Sequence, residues 1–538
     1  MHQFTSQQIK AIEYDGSMII SACPGSGKTT VIKEKIRRIT CNLPAYKGVI
    51  AITFTIKSSQ ELKERCKKDG HDTKQSFFGT IDSFCLNEII VPFISRHWGG
   101  DISECQIVKK LDEKQKGYFS EHYKSPTLSD ILKDDGFQNL YHDGFLWMSS
   151  FSAIALLILE ESLAAQRYIK ARYSHVFIDE YQDTSESQHK LFLKIFELGL
   201  ISVAVGDVDQ SIYGFRGSKP EYLLELSEDS ERFKSFAIDI NHRSHPSIIN
   251  YAARLADPDS KLLVCDEDDI RVYRRLLNGN LRDAGKVVSG WTSEWLKDGT
   301  ISKESDVALL GKKEGSIKEL ADGMLIKYRL YTESPLDKIG NPCSDLYSDL
   351  MAYKFRLIDT IQEIIDKHYF YLLNSRNFKI SELRKNIKEI RNFHSIEAVL
   401  DKFRKLASML SIIDTRRSDE AILLILNSKE LINLYRPLND NEVQIMTLHK
   451  SKGLEFKVVM HFDLEEWSFP HRIPGVNWDD INYPSLDQDT NLHYVGITRA
   501  IDCCILIRTT LRRNSQGYYK NSQPSYFLGL KELEGLYR

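Results

Sequence analysis

Apolar runs too short to be helices punctuate the first part of the chain, at 18–21, 48–54 and 77–80. Between them apolar residues recur at helical spacing, and helices are predicted to begin near Thr29 and Ser58. Strands alternating with helices imply a parallel sheet, because each parallel pairing needs a long crossover that a helix supplies. The pattern changes over 86–165, where Trp98, turns rich in Lys and Asp, and an apolar helix around 153–165 read as an inserted helical subdomain. Strand signals return at 176–178 and 202–205 and continue the first sheet.

A second α/β unit is predicted after about residue 246, with strands at 271–273 and 306–310 around a helix at 286–296. Residues 336–438 carry helical periodicity, as in Leu346, Leu350, Phe355, Ile358 and Ile361 and again over 383–390, with almost no strand signal. Strands resume at 442–446, 457–462 and 503–508. The predicted fold class is therefore α/β, with two parallel-sheet domains, each interrupted by a helical insertion. The first domain takes 1–85 and 166–245 around an insertion at 86–165; the second takes 246–335 and 439–538 around an insertion at 336–438.

Composition fits this plan. A chain of 538 residues is too long for one core. Its net charge of −3 shows no overall basic excess, so any nucleic-acid contact must come from a local groove. The nine cysteines are scattered without zinc or iron–sulfur spacing, as expected of reduced thiols. No apolar run approaches membrane-spanning length and the start has no signal core, so a cytoplasmic location without membrane contact is expected.

Chemistry concentrates at the ends of three predicted strands. After the first strand comes Ser21-Ala22-Cys23-Pro24-Gly25-Ser26-Gly27-Lys28-Thr29-Thr30, a phosphate-cradling P-loop whose first glycine is replaced by Ala22. Glycines let backbone N–H groups approach the phosphates, and the following helix presents its positive end. Lys28 would reach the β/γ-phosphates of ATP and Thr29 would ligate Mg²⁺. The run His175-Val176-Phe177-Ile178 ends in Asp179-Glu180, two carboxylates at the strand tip where α/β sheets bind ligands. Asp179 would hold Mg²⁺ and Glu180 would polarise the attacking water. The run ending at Val205 leads into a polar loop with Gln210, placed for the γ-phosphate. Tyr213 and Phe215 follow, readable either as base-stacking faces or as core aromatics.

These blocks resemble those of the UvrD/Rep/PcrA-type superfamily 1 DNA helicases. The resemblance covers most of the chain and implies RecA-like P-loop domains. It makes Gln8, in Phe4-Thr5-Ser6-Gln7-Gln8, the adenine-reading residue. It implies single-stranded DNA contacts for Thr53 and Phe54, and for Thr80 in Gly79-Thr80-Ile81-Asp82, where Asp82 replaces the family's usual His. In Asn241-His242-Arg243-Ser244, His242 stands for the family's adenine-stacking Tyr and Arg243 for an arginine finger. In the stretch Thr447-Leu448-His449-Lys450-Ser451-Lys452-Gly453-Leu454-Glu455, the resemblance places Thr447 and His449 on DNA and Glu455 near the ribose. It makes Arg499 in Thr498-Arg499-Ala500 a second finger.

The segment from Leu511 to Tyr519 resembles the family's strand-separating hairpin, with Tyr519 as its aromatic pin or simply a packed Tyr. No nuclease cluster accompanies these motifs, and the 336–438 insertion is shorter than in full-size repair helicases. Two functions follow as expectations. One is a 3′-to-5′ helicase acting on single-stranded and tailed duplex DNA. The other is an ATP-dependent DNA-sensing or translocating subunit serving a separate nuclease, as in bacterial antiphage systems of the Gabija type.

Overall fold

The computed structural model describes residues 4–214, 217–368, 370–371, 380–393, 395–413, 415–475, 481–514 and 516–538. Its frame is two six-stranded sheets. The first contains β1 (Met18–Ala22), β2 (Gly48–Ile52), β3 (Phe77–Gly79), β4 (Tyr173–Ile178), β5 (Ile201–Gly206) and β6 (Lys234–Ile238), in the order β3-β2-β4-β5-β1-β6. The second contains β7 (Val272–Leu277), β8 (Val307–Gly311), β9 (Tyr328–Leu330), β10 (Val443–Thr447), β11 (Phe456–His461) and β12 (Ala500–Thr509), in the order β9-β10-β8-β11-β12-β7. Every pairing in both sheets is parallel. β2 and β8 are buried along their whole length, which is why they read as continuous apolar runs and not as alternating ones.

Two strands escape the sequence pattern for a shared reason. β6 is a half-exposed edge strand and β9 has only three residues, so neither needs a continuous apolar run. Two short strands, Gln106–Val108 and Phe145–Trp147, also pair within the segment expected to be an inserted helical subdomain. The apolar helix expected around 153–165 is two helices, Phe151–Glu161 and Leu163–Arg172, set at 102°. Ser162 makes the break: its side chain accepts the Ala165 N–H and starts the second helix afresh. Likewise the helix Pro342–Lys354 stops before Phe355, and Arg356 adopts φ +66°, so Ile358 and Ile361 lie beyond it.

One apolar cluster runs from the first sheet (Ile50, Val176) through Phe84 and Ile154 to Tyr347 and Phe403. The two helical segments therefore pack on each other as well as on the sheet. Backbone bonds stitch the seam: Lys109 N–H donates to Gly340 O (3.0 Å) and Ile107 N–H to the Tyr371 hydroxyl (3.1 Å). Among the described residues no single helix is long and apolar enough to cross a membrane.

Candidate functional site

β1 delivers the chain into the turn Cys23–Gly27, and the helix Lys28–Asn42 starts immediately after it. Gly25 and Gly27 adopt φ +71° and +85°, a region that costs glycine little. Contact adds to this requirement. A Cβ on Gly25 would fall 2.6 Å from Asn241 Oδ1, and one on Gly27 would fall 2.9 Å from Gln8 Nε2. Ala22 needs no such freedom, because it is an ordinary strand residue paired with Ile238. Gln8, in the capped helix Ser6–Glu13, donates from Nε2 to Ser26 O at 2.9 Å and so fastens that helix to the phosphate loop. Cys23 donates its N–H to Ile238 O, and burial pushes its thiol up to about 11. Pro24 sits in the turn, and Thr29 and Thr30 form the first helical turn, with Thr30 N–H on Gly27 O (2.9 Å).

Opposite the loop, β4 ends and Asp179 donates its N–H to Ile52 O (3.0 Å). Glu180 then takes φ +56°, strained for a residue with a side chain. Lys28 Nζ is buried without a hydrogen-bond partner and faces the carboxylates of Glu180, Asp207 and Asp179. Burial opposes its charge, but those three carboxylates hold its ionisation above the ordinary range. Burial likewise raises Asp179, with Glu180's like charge adding to it. Glu180 resists the same burial because Lys28, Lys452 and a 2.6 Å bond from Gln182 Nε2 keep it ionised. An orphan buried ammonium within an acidic cluster at a helix N-terminus fits a nucleotide polyphosphate with a divalent cation: the phosphates satisfy the Lys and the cation offsets the carboxylates.

Gln210 closes the short helix Val208–Gln210 after β5, its Nε2 donating to Asp207 Oδ2 (2.7 Å). Its Oε1 accepts Arg499 Nη2 at 3.1 Å, from just before β12 of the other sheet. Arg499 is buried and donates also to Val495 O (3.0 Å) and Leu454 O (3.2 Å). Burial and the nearby Arg243 push its guanidinium down to about 10. Arg243 pairs through Nε with Glu455 Oε2 at 2.7 Å, and the His242 N–H donates to Gly25 O at 3.0 Å. Lys28, Asp179, Glu180, Gln210, Arg243, Glu455 and Arg499 thus meet in the cleft between the sheets.

Lys452 was not singled out by sequence. Its ammonium bonds Asp183, lies 3.7 Å from Glu180 Oε2 and donates to Gln210 O at 2.6 Å. It lies within the stretch Thr447–Glu455, where sequence alone does not tell a buried Lys from an exposed one. Gln182 and Asp207, both buried, were missed for the same reason.

The expected DNA-contacting residues divide. Phe54 and Tyr213 stack on each other, with centroids 4.8 Å apart, and the His449 ring lies 6.3 Å from Tyr213. Tyr213 is buried while Phe54 is exposed, so Phe54 presents the free aromatic face and Tyr213 supports it. Phe215 lies outside the described residues. Thr53 is buried with its hydroxyl on Thr55 O (3.0 Å); Thr80 caps the turn Ile81–Phe84, and Thr447 occupies the N-cap position of Leu448–Ser451. Burial pushes the Asp82 carboxyl up to about 6, only partly opposed by Lys109. Tyr519 lies apart from these, on a hairpin of Leu511–Arg513 with Tyr519–Asn521, and donates its hydroxyl to Glu319 Oε1 (2.9 Å). Its neighbour Tyr518 is the more exposed ring, 69% against 46%.

The sequence matches the UvrD/REP helicase N-terminal domain over residues 4–125 and 103–231, and the UvrD-like helicase C-terminal domain over 354–510. The chain belongs to the UvrD-like helicase family. It is 27% identical to Gabija protein GajB of Bacillus cereus over 92% of this chain and 94% of that protein. It is 25% identical to the ATP-dependent DNA helicase Rep of Buchnera aphidicola over 92% of this chain and 91% of that one. With the ATP-dependent DNA helicase PcrA of Staphylococcus epidermidis it shares 22% identity over 97% of this chain and 85% of that one. The helicase is thus a superfamily 1 ATPase.

Proposed function

We propose that this helicase hydrolyses ATP between its two sheets and uses the cycle to move 3′-to-5′ along single-stranded DNA, separating the duplex ahead. The observation that carries this reading is the Arg499–Gln210 bond, which joins a guanidinium beside one sheet to a buried amide in the loop after β5 of the other. Lys28 would neutralise the β/γ-phosphates, and Thr29 with Asp179 would hold Mg²⁺, which supplies charge neutralisation at the transferring phosphoryl. Glu180, kept ionised by Lys28 and Lys452, would take the proton of the attacking water. Arg243 and Arg499 would stabilise the charge that develops on the γ-phosphoryl. Gln8 would read the base, His242 would stack on it and Glu455 would approach the ribose. Tightening around ATP draws the sheets together; release after hydrolysis lets them part. DNA gripped by Phe54, Thr80, Thr447 and His449 would then be handed from one sheet to the other, with the hairpin of Tyr518 and Tyr519 abutting the duplex.

The test is separation of 3′-tailed and 5′-tailed duplexes by the purified chain with ATP and Mg²⁺, with Glu180→Gln as control. Loss of strand only from the 3′-tailed substrate supports the reading; separation of the 5′-tailed one alone overturns the polarity.

A second reading is favoured by the match to Gabija protein GajB across nearly the whole of both chains. In it the motor is a DNA-sensing or translocating subunit of a cytoplasmic nuclease complex in antiphage defence. Robust DNA-stimulated ATPase without strand separation, together with co-purification of a nuclease, is its expected signature.

A further inference from the structure

The helix Leu486–Ile497 touches the nucleotide machinery along one side. Its last turn holds Arg499 through Val495 O, and Asn491 Nδ2 donates to Ser211 O (3.1 Å) in the loop that carries Gln210. Near its start lies Asp489, almost fully buried, and both its oxygens accept Lys312 Nζ, at 2.7 and 2.8 Å. Lys312 directly follows β8. Its own backbone N–H donates to Asp463 Oδ2 (2.6 Å), just beyond β11. The other oxygen of Asp463 accepts Arg512 Nη2 (2.5 Å), and Arg512 lies in the first strand of the hairpin Leu511–Arg513 with Tyr519–Asn521. Glu465 adds a second carboxylate 3.5 Å from Arg512 Nε. Asp463 is buried and adopts φ +67°, a conformation that Asp tolerates better than most residues, so its carboxylate is aimed by backbone as well as by packing. A connected series of contacts therefore runs from Arg499 to the root of the hairpin: two ion pairs, Lys312–Asp489 and Arg512–Asp463, joined by the helix backbone and by the backbone N–H of Lys312. Buried ion pairs are poor sources of net stability, because desolvation offsets most of their attraction, but they fix geometry tightly.

We propose that Lys312, with Asp489 and Asp463, is a positioning residue that transmits nucleotide-driven movement of the helix Leu486–Ile497 to the hairpin. The proposal deepens the strand-separation reading and rests on it. A helix is stiff over this length, so displacement of its Arg499 end must move Asp489 and whatever Asp489 holds. Arg512 is anchored to the far side of the same network, so the hairpin moves with it instead of independently.

The test uses the full chain and a pair of substitutions that removes both charges of the central link, Lys312→Met with Asp489→Asn. The Asn keeps an acceptor for the His471 N–H that Asp489 holds at 2.6 Å. Hydrogen exchange of the hairpin amides is measured with and without a non-hydrolysable ATP analogue, on tailed DNA. In the native chain the analogue is expected to change hairpin exchange by tenfold or more; in the double variant that response is lost while protection of the phosphate loop by the analogue stays within twofold. Lys312→Arg, which retains the charge, is expected to restore the response. A variant hairpin that still responds to the analogue, or loss of phosphate-loop and hairpin responses together in a folded protein, overturns the proposal. Failure of the underlying reading looks different: Tyr518→Ala with Tyr519→Ala would leave strand separation unchanged while the hairpin still answers the nucleotide.

Discussion

Arg499 Nη2 donates to Gln210 Oε1 at 3.1 Å, so a residue that follows a helix on the second sheet already touches the loop after β5 on the first. The bond joins two groups that would both face the γ-phosphate, and it ties the closure of the sheets to the chemistry that closure serves. Arg499→Ala should lower ATP turnover by about 10³–10⁵-fold, the range for losing an arginine finger. Arg499→Lys should recover little, since an ammonium cannot reproduce a fork that also donates to Val495 O and Leu454 O. Steady-state ATPase on saturating DNA checks both, and turnover within tenfold of native in the Ala variant would remove Arg499 from the transition state.

Glu180→Gln keeps the shape of the side chain and removes its basicity. Turnover should fall by about 10²–10⁴-fold while nucleotide affinity is retained or improves. The improvement has a physical source: one carboxylate fewer faces the incoming polyphosphate. Fluorescent-nucleotide titration alongside single-turnover hydrolysis separates the two effects, and undiminished hydrolysis would reassign the base.

Lys452 pairs with Asp183, whose carboxyl burial pushes up to about 6. Lys452→Met should therefore both slow hydrolysis and destabilise the fold, because burial then drives Asp183 to take up a proton to avoid an unpaired charge. Adding Asp183→Asn removes that carboxyl and should return most of the stability but none of the lost turnover. Thermal unfolding and ATPase of the single and double variants read these separately. Recovery of both together would reduce Lys452 to a structural role.

The frame was legible in sequence because central parallel strands must be apolar on both faces, and β1, β2, β5, β8, β10 and β11 announce themselves that way. β6 and β9 did not, being an exposed edge and a three-residue strand. Of the residues expected at the nucleotide, Lys28, Asp179, Glu180 and Gln210 could be named from strand tips and the glycine turn of Gly25 and Gly27, whereas Gln8, His242, Arg243, Glu455 and Arg499 came only from the family resemblance. Lys452 and Asp207 could not be separated from neighbours of the same type, since what distinguishes them is burial, which depends on how the two sheets approach. The Phe54–Tyr213 stack was hidden for a related reason: two residues far apart in the chain share one surface, and only one of them faces solvent.

That stack gives a further expectation. Phe54 is exposed and rests on a buried Tyr213, so Phe54→Ala removes the free face and leaves its support in place. Single-stranded DNA affinity should fall by about 1–3 kcal/mol, the contribution of one aromatic–base stack, and the DNA concentration for half-maximal ATPase should rise accordingly. Hydrolysis without DNA should be unchanged. Equal loss of basal and DNA-stimulated rates would point instead to disruption of Tyr213 and the Lys452 it packs against.

Glu465, at the root of the hairpin, makes stability depend on pH in a definite direction. Burial, with some help from Asp463, pushes its carboxyl up to about 7 from the ordinary 4.5, although Arg512 and the Thr509 hydrogen bonds oppose the shift. Between those values the folded chain holds a proton that the unfolded chain has released. Its contribution is fully present below about pH 4.5 and is lost as pH rises through 7, amounting to about 3 kcal/mol. Glu465→Gln imitates the protonated form and accepts the same Thr509 N–H, at 2.8 Å in the native chain. The variant should therefore match the native chain near pH 5 and exceed its stability at pH 8. Urea midpoints at pH 5, 6, 7 and 8 for both proteins decide it: a gap that widens with pH agrees, whereas parallel curves would mean that Arg512 keeps Glu465 ionised throughout.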